Sequence, residues 1–235
     1  MPGKTQRSSN LELLRILCML LIIGDHLTGQ GGIADYTTLP SSFAFCLIGC
    51  GSRIACSVFI LIGGWFLCEQ PYKTRRPLSL WLSLWLYTVP VTLLCRLTGL
   101  DVSFGALRWA AFPASTRQLW FISDYLLLLL CVPLPVCQIR AVLETRGLTD
   151  GKAFQYVAYY RTALGALPNL LAALALFYLF KNLDLGCVRW VNALSGTTLG
   201  VYILHQVPAF RNFLWNGLLQ AQAHHGSVVY TLFAI

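Results

Sequence analysis

The sequence predicts an all-α integral membrane protein with about six transmembrane helices and a partial seventh. Hydrophobic residues make up 57% of the chain and charged residues only 11%, against about a quarter charged in soluble domains. The hydrophobic residues form long runs rich in Leu, Phe and Trp, which favours spanning helices over the alternating pattern of a barrel. The composition therefore excludes an ordinary soluble domain.

The apolar runs are separated by loops that contain glycine or basic residues. The second run contains Gly49, Gly51 and Arg53 and is expected to be tilted or broken, and Pro90 is expected to kink the third. The apolar residues that follow position 228 are too few to cross a bilayer. The predicted spans are 11–27, 42–68, 78–97, 119–139, 156–180 and 191–215.

The loops on the N-terminal side hold about twice as many basic residues as the opposite loops. This bias predicts a multi-pass protein of the cell membrane, in contact with membrane lipid, whose N-terminus is cytoplasmic. The same flanking positions explain the net charge of +8, so no nucleic acid is expected as a partner. The nine cysteines lack C-x-x-C spacing and a histidine cluster, and no metal is predicted.

The first predicted span contains four ionisable residues, Glu12, Arg15, Asp25 and His26. Such groups are costly inside a bilayer and usually mark a functional interior. At about 100° per residue, positions 12, 15, 19, 22 and 26 form one stripe, with Arg15 and His26 about 16 Å apart. In the alternative arrangement, Glu12 and Arg15 pair at one membrane edge and His26 lies in the opposite interface.

Arg15 and His26 form the strongest candidate site. A histidine can act as general base on a hydroxyl, and an arginine can hold a phosphate or carboxylate in a low-dielectric cavity. Asp25 lies about 100° from His26 around the helix, so it could orient the histidine only through a bend or a neighbouring helix. Otherwise Asp25 is a charge at the helix end.

Other polar positions have both a functional and a structural interpretation. Tyr202 and His205 are polar residues in a second apolar run, where His205 could serve the site or be a hydrogen-bonded structural histidine. Arg75 and Arg76 could attract a polyanionic cofactor or anchor a loop at lipid headgroups. Trp120 could line a site or lie at the membrane interface.

Four segments, in the expected order, resemble motifs of the membrane-bound acyltransferase-3 family. Residues 11–15 with His26 resemble its Arg-x10-His signature, and residues 58–67 its Phe-x-x-x-Ser-Gly-Tyr/Phe-Leu run. Residues 119–122, leading to Pro133, resemble its Leu-Trp-Phe span, and residues 198–205 its late Ser/Thr-x-Gly-x-Tyr-Leu-Ile-His element.

This resemblance implies O-acylation, usually O-acetylation, of a cell-surface carbohydrate or lipid-linked sugar. The implied donor is cytoplasmic acyl-CoA, in the usual case acetyl-CoA. Arg15 corresponds to the arginine that helps to hold the donor, and His26 to the histidine that carries the acyl-transfer chemistry. The predicted substrate-binding residues are Glu12, Asp25, Arg75, Arg76, Trp120, Tyr202 and His205.

The sequence departs from the family pattern in two ways. Gly63 stands where the family has serine, and the family has about ten spans where six are predicted here. Residues 1–235 are therefore expected to form a single acyltransferase-3-like domain that lacks helices near 140–156 and after 228. A truncated inactive member, or a non-enzymatic small membrane protein or transporter, is the alternative; a transporter should show broken helices in two related halves, and none is evident.

Overall fold

The computed structural model describes residues 9–35, 39–68, 73, 75–113, 119, 121–123, 125–126 and 166–234. The regular secondary structure in these ranges is helical, which confirms the all-α class. The α-helices are α1 Asn10–Gln30, α2 Leu39–Cys68, α3 Arg75–Leu97, α4 Phe104–Ala111, α5 Ala166–Asn182, α6 Arg189–Ser195, α7 Thr198–Leu204, α8 Pro208–Asn212 and α9 Val228–Ala234. Two 3₁₀ turns, Ile33–Asp35 and Ala221–His224, and a π-helical turn, Phe213–Leu218, complete the description.

Helix α1 lies at the centre of the described structure. It packs along α2 and also contacts α5, α6 and α7. The side chains at its start accept hydrogen bonds from the backbone N–H of Val188, to Ser9 Oγ (2.6 Å), and from that of Leu185, to Asn10 Oδ1 (3.1 Å). These bonds satisfy backbone donors outside the helix and fix the start of α1 against the segment that leads into α6.

Two of the described helices are long and apolar enough to cross a membrane, at Ser41–Phe66 and Arg75–Leu97. Phe43, Leu86 and Leu97 on these helices are each more than half exposed. Extensive exposed apolar surface of this kind is typical of a membrane or protein contact. The prediction of six spans is thus confirmed only as far as these two helices, and helix α5 contributes a shorter apolar segment, Asn169–Asn182.

The predicted sixth span, 191–215, is not one helix but a series of short ones. Helix α6 ends at Ser195, and α7 ends at Leu204 before α8 begins. Val207 is extended, at φ −62° and ψ 119°, because Pro208 disfavours a helical conformation in the residue before it. The break matters for the site, since it lies directly after His205.

Helix α2, in contrast, continues through Gly49 and Gly51, where the sequence suggested a tilt or a break. Gly51 instead allows close packing, because a Cβ atom there would lie 3.1 Å from Leu21 Cδ2 of α1. Helix α3 runs on through Pro90. Most of the fourth predicted span, the first part of the fifth and the region 140–156 lie outside the described residues.

Candidate functional site

A cavity of ≈ 350 Å³ lies beside α1, between α2, α7 and the segment around Tyr125. Helix α1 contributes Arg15, Met19 and Ile22, which are three of the five positions of the predicted stripe. Most of the remaining lining is apolar or aromatic. The lining also includes Phe59, Gly63, Phe121, Tyr125 and Tyr202.

An ion pair holds Arg15 at one end of this cavity. Arg15 Nη1 lies 3.1 Å from Glu12 Oε2, and Ser195 Oγ donates a hydrogen bond to the same carboxylate oxygen at 2.6 Å. Glu12 is only 1% exposed, and a buried carboxylate needs such partners to remain charged. Glu12 therefore does pair with Arg15, as in the alternative arrangement. The Glu12 carboxylate is buried, however, and it also accepts a hydrogen bond from Ser195 of α6.

The ion pair uses only part of the Arg15 guanidinium group. Both hydrogen bonds to Glu12 come from Nη1, and among the described residues Nε and Nη2 have no hydrogen-bond partner. The guanidinium carbon lies 5.5 Å from the centre of the Phe66 ring, which supports the planar group from one side. Donors thus remain for an anionic ligand at this end of the cavity.

His26 lies at the far end of the stripe, and its ring contacts His205. The distance from His26 Nδ1 to His205 Nε2 is 2.7 Å, and the ring centres are 5.0 Å apart. His205 Nδ1 lies 2.8 Å from the carbonyl oxygen of Val201, one turn earlier on α7. His205 is 4% exposed, whereas His26 is half-buried and so more accessible.

The hydrogen bonds of this pair define its tautomers. A carbonyl oxygen only accepts, so Nδ1 of His205 carries the proton and its Nε2 is the acceptor. Nδ1 of His26 must then donate to His205, which leaves the lone pair of neutral His26 on Nε2. A histidine held with a free Nε2 lone pair can accept the proton of a hydroxyl group.

Gln206 is a third member of this cluster. Its Nε2 lies 2.8 Å from Nδ1 and 3.2 Å from Nε2 of His26, so the amide closes one side of the ring. Because Nδ1 of His26 carries a proton, an amide nitrogen at this distance would oppose it with a second donor, so the amide oxygen is the better assignment for this position. Oε1 of Gln206 is buried and has no partner among the described residues. A half-turn of the amide would let Oε1 accept from His26 Nδ1, the bond that stabilises a protonated ring.

Tyr202 connects the cavity with the histidine pair. It lines the cavity, and its ring packs edge-on against His205 at 5.6 Å and against Phe121 at 6.2 Å between ring centres. The Arg15 cavity and the His26–His205 pair are thus neighbours along one side of α1. A ligand that extends from Arg15 along the cavity points toward the histidines.

The other predicted substrate-binding residues lie in different places. The carboxylate of Asp25 faces α2, where Ser52 forms a hydrogen bond with it, so Asp25 is not the group that orients His26. Arg75 is exposed, whereas Arg76 is half-buried and close enough to Tyr125 for its charge to act on the hydroxyl. Trp120 lies outside the described residues.

Three residues of the site were missed by the sequence reasoning: Tyr125, Ser195 and Gln206. Gln206 follows His205 directly in an apolar run, and two adjacent polar residues in such a run were a usable signal for Gln206. Ser195 and Tyr125 carried no comparable signal. In the part of the chain that the structure describes, no three His, Cys, Asp or Glu residues are grouped as a metal site.

A neutral histidine pair beside a largely apolar cavity can accept the proton of a hydroxyl group, which is what the transfer of a group onto that hydroxyl requires. A family model described as an acyltransferase domain (Acyl_transf_3) matches residues 8–149, more than half of the chain. The chain belongs to the acyltransferase-3 family. The match includes Arg15, His26 and Gly63 and ends before His205. Comparisons with curated proteins and with solved structures find no match.

Proposed function

We propose that this protein transfers an acyl group, in the simplest case acetyl, from cytoplasmic acyl-CoA to a hydroxyl group of a cell-surface carbohydrate or lipid-linked sugar. It would do so as a multi-pass protein of the cell membrane with a cytoplasmic N-terminus. The observation that carries the proposal is the bond between His26 Nδ1 and His205 Nε2, which leaves His26 Nε2 as a base next to the cavity.

The proposed reaction begins when His26 Nε2 accepts the proton of the acceptor hydroxyl. The acceptor oxygen forms a bond to the thioester carbonyl carbon, and the carbon–sulfur bond breaks. The thiolate leaves and takes the proton from the His26 imidazolium, so the products are an ester and free CoA thiol. His205 accepts a hydrogen bond from His26 Nδ1 throughout and holds the ring in the required tautomer.

Arg15 is assigned to donor binding in this scheme. Arg15 lines a largely apolar cavity, and its Nε and Nη2 have no hydrogen-bond partner among the described residues; in such surroundings a charge-assisted bond to phosphate is stronger than in water. Glu12 and Ser195 hold the guanidinium group in place. The donor arm can then lie along the cavity with its thioester toward Tyr202 and the histidines.

The test uses membranes that contain the full chain and acetyl-CoA labelled in its acetyl group. Wild-type protein is expected to transfer label to the carbohydrate fraction and to release CoA thiol. His26→Ala is expected to lose transfer by a factor of about 10² or more, the contribution typical of general base catalysis. Arg15→Lys keeps the charge that pairs with Glu12 and is expected to raise the KM for acetyl-CoA.

The matched control is His224→Ala, since His224 stacks on Tyr230, away from the cavity. This variant is expected to transfer label at the wild-type rate. Transfer that His26→Ala leaves unaltered would contradict the proposal. Wild-type protein that neither binds acetyl-CoA nor transfers label would favour an inactive or non-enzymatic membrane protein.

A further inference from the structure

We infer that the hydroxyl group of Tyr125 is a donor-binding group in this cavity, where it hydrogen-bonds an amide of the acyl-thioester donor's arm between Arg15 and His26. Gly63 provides the space that this side chain occupies. The inference rests on the proposed function but concerns a separate interaction, which is measured separately below.

Tyr125 lies so close to the backbone of Gly63 that no residue with a side chain would fit at position 63 without displacing it. A Cβ atom built on Gly63 would lie 2.6 Å from Tyr125 Oη and 2.9 Å from its Cε2, closer than real Cβ contacts occur. Glycine is the residue that permits such a close approach to the backbone. The absence of a side chain at position 63 therefore admits the tyrosine to the cavity wall.

The Tyr125 ring is held by other aromatic side chains. It stacks on Phe121 with a ring-centre distance of 6.5 Å and an interplanar angle of 14°. Phe121 in turn packs against Phe59 at 6.1 Å and against Tyr202. A ring fixed in this way presents its hydroxyl group at a defined place, which reduces the entropy lost when a ligand binds.

The hydroxyl group of Tyr125 is available to a ligand. It makes no hydrogen bond with any residue in the described part of the chain. Tyr125 lines the same cavity as Arg15, and the charges of Arg15 and Arg76 both act on its hydroxyl group. A phenol hydroxyl with a largely apolar environment gains most from a polar partner, and an amide carbonyl of the ligand would supply one.

The position of Tyr125 favours the donor over the acceptor as its partner. Tyr125 packs on Phe121, Phe121 on Tyr202 and Tyr202 on His205, so two aromatic rings lie between Tyr125 and the histidine pair. A CoA thioester bound with its phosphates at Arg15 and its acyl group near His26 must pass this point. The arm of CoA carries amide groups at intermediate positions, whereas the acceptor hydroxyl is needed only at His26.

The first test is Tyr125→Phe in the full chain, assayed with acetyl-CoA. The variant keeps the ring and loses one hydrogen bond, so the KM for acetyl-CoA is expected to rise about 3- to 10-fold. The kcat is expected to remain near the wild-type value. Tyr178→Phe is the matched control, because Tyr178 is more than half exposed and does not line the cavity.

The second test uses two adjacent glycines. Gly63→Ala must displace Tyr125 and is expected to raise the KM for acetyl-CoA as Tyr125→Phe does, whereas Gly64→Ala meets no atom within 4 Å and should leave it unchanged. In the Tyr125→Phe background, Gly63→Ala should add little to the KM, because the hydrogen bond is already lost.

Direct binding separates this inference from the proposed function. Equilibrium dialysis of purified full chain with acetyl-CoA is expected to show weaker binding in Tyr125→Phe than in Tyr178→Phe. If both variants bind like wild type while transfer still requires His26, the Tyr125 inference is wrong and the proposed function stands. If transfer does not require His26 but Tyr125→Phe weakens the binding of acetyl-CoA, the role of His26 in the proposed function is wrong and Tyr125 remains a donor-binding residue.

Discussion

His26 Nδ1 lies 2.7 Å from His205 Nε2, although 179 positions separate the two residues in the chain. The break between α7 and α8 places His205 at the end of α7, where its Nδ1 bonds the carbonyl group of Val201. In the proposed mechanism His205 has the role that an acidic residue has in a catalytic triad, which is to fix the tautomer of the base. Because His205 is neutral in this arrangement, it orients His26 without adding a negative charge.

The first prediction concerns this orientation. His205→Ala removes the acceptor for His26 Nδ1, so either ring nitrogen of His26 can then carry the proton. The kcat for acetyl transfer is expected to fall by about 10²-fold, with little change in the KM for acetyl-CoA. Steady-state kinetics in membranes measure both constants. A kcat equal to that of the His224→Ala control would show that His205 is a structural histidine only.

The second prediction concerns Gln206. Gln206→Met keeps the volume of the side chain and removes the amide that closes one side of the His26 ring. The kcat is expected to fall about 10-fold, less than for His205→Ala, because one of two interactions that orient the ring remains. Gln222→Met, at an exposed position, is the control. A loss of kcat in both variants alike would contradict a specific role for Gln206.

The third prediction separates the structural and functional parts of Arg15. Arg15→Met removes the ion pair with the buried Glu12 carboxylate, and the free energy of unfolding is expected to fall by about 3–5 kcal/mol. Arg15→Met combined with Glu12→Gln removes both charges and keeps an acceptor for Ser195, so stability should largely return. Denaturant unfolding in detergent measures these changes.

The double variant also tests donor binding. Because it restores the fold without restoring the guanidinium group, equilibrium dialysis should still show weak binding of acetyl-CoA. Binding at the wild-type level in the double variant would mean that Arg15 serves only to neutralise Glu12.

The fourth prediction concerns the end of α1, which sets the position of His26. A Cβ atom on Gly31 would meet the carbonyl oxygen of Leu27 and lie 3.2 Å from Ala221 Cβ, whereas a Cβ atom on Gly29 would meet nothing within 4 Å. Gly31→Ala is expected to lower the free energy of unfolding by about 1–3 kcal/mol, and Gly29→Ala to leave it nearly unchanged. Equal thermal midpoints for the two variants would refute the close packing described here.

The sequence was sufficient to predict the long helices and the face of α1 that forms the site. Helices α2 and α3 begin and end within a few residues of the predicted apolar runs. A long apolar run in a membrane satisfies its backbone hydrogen bonds by forming a helix, so the composition alone predicts these two elements. The helical period alone places Arg15, Met19 and Ile22 together, and all three line the cavity. The family resemblance to acyltransferase-3 proteins was confirmed by the match over residues 8–149.

Contacts between distant segments could not be predicted in this way. No periodicity relates His26 to His205, or Glu12 to Ser195, and each pair meets only because α6 and α7 pack against α1. The apolar composition of 191–215 did not reveal the break before Pro208, although the proline was a usable signal, and the crossing predicted for this region stays a prediction. The hydrogen-bond partner of Asp25 could not be predicted either, because it depends on the packing of α1 against α2, where Ser52 bonds the carboxylate.

The proposed function requires His26 to be the base of an acyl-transfer reaction and not a donor-binding group. The most direct measurement compares turnover and acetyl-CoA binding in the same preparation of His26→Ala protein. We predict a dissociation constant for acetyl-CoA within about twofold of wild type, together with a turnover at least about 10²-fold lower. Turnover at the wild-type rate in His26→Ala protein that binds acetyl-CoA normally would show that His26 is not the base.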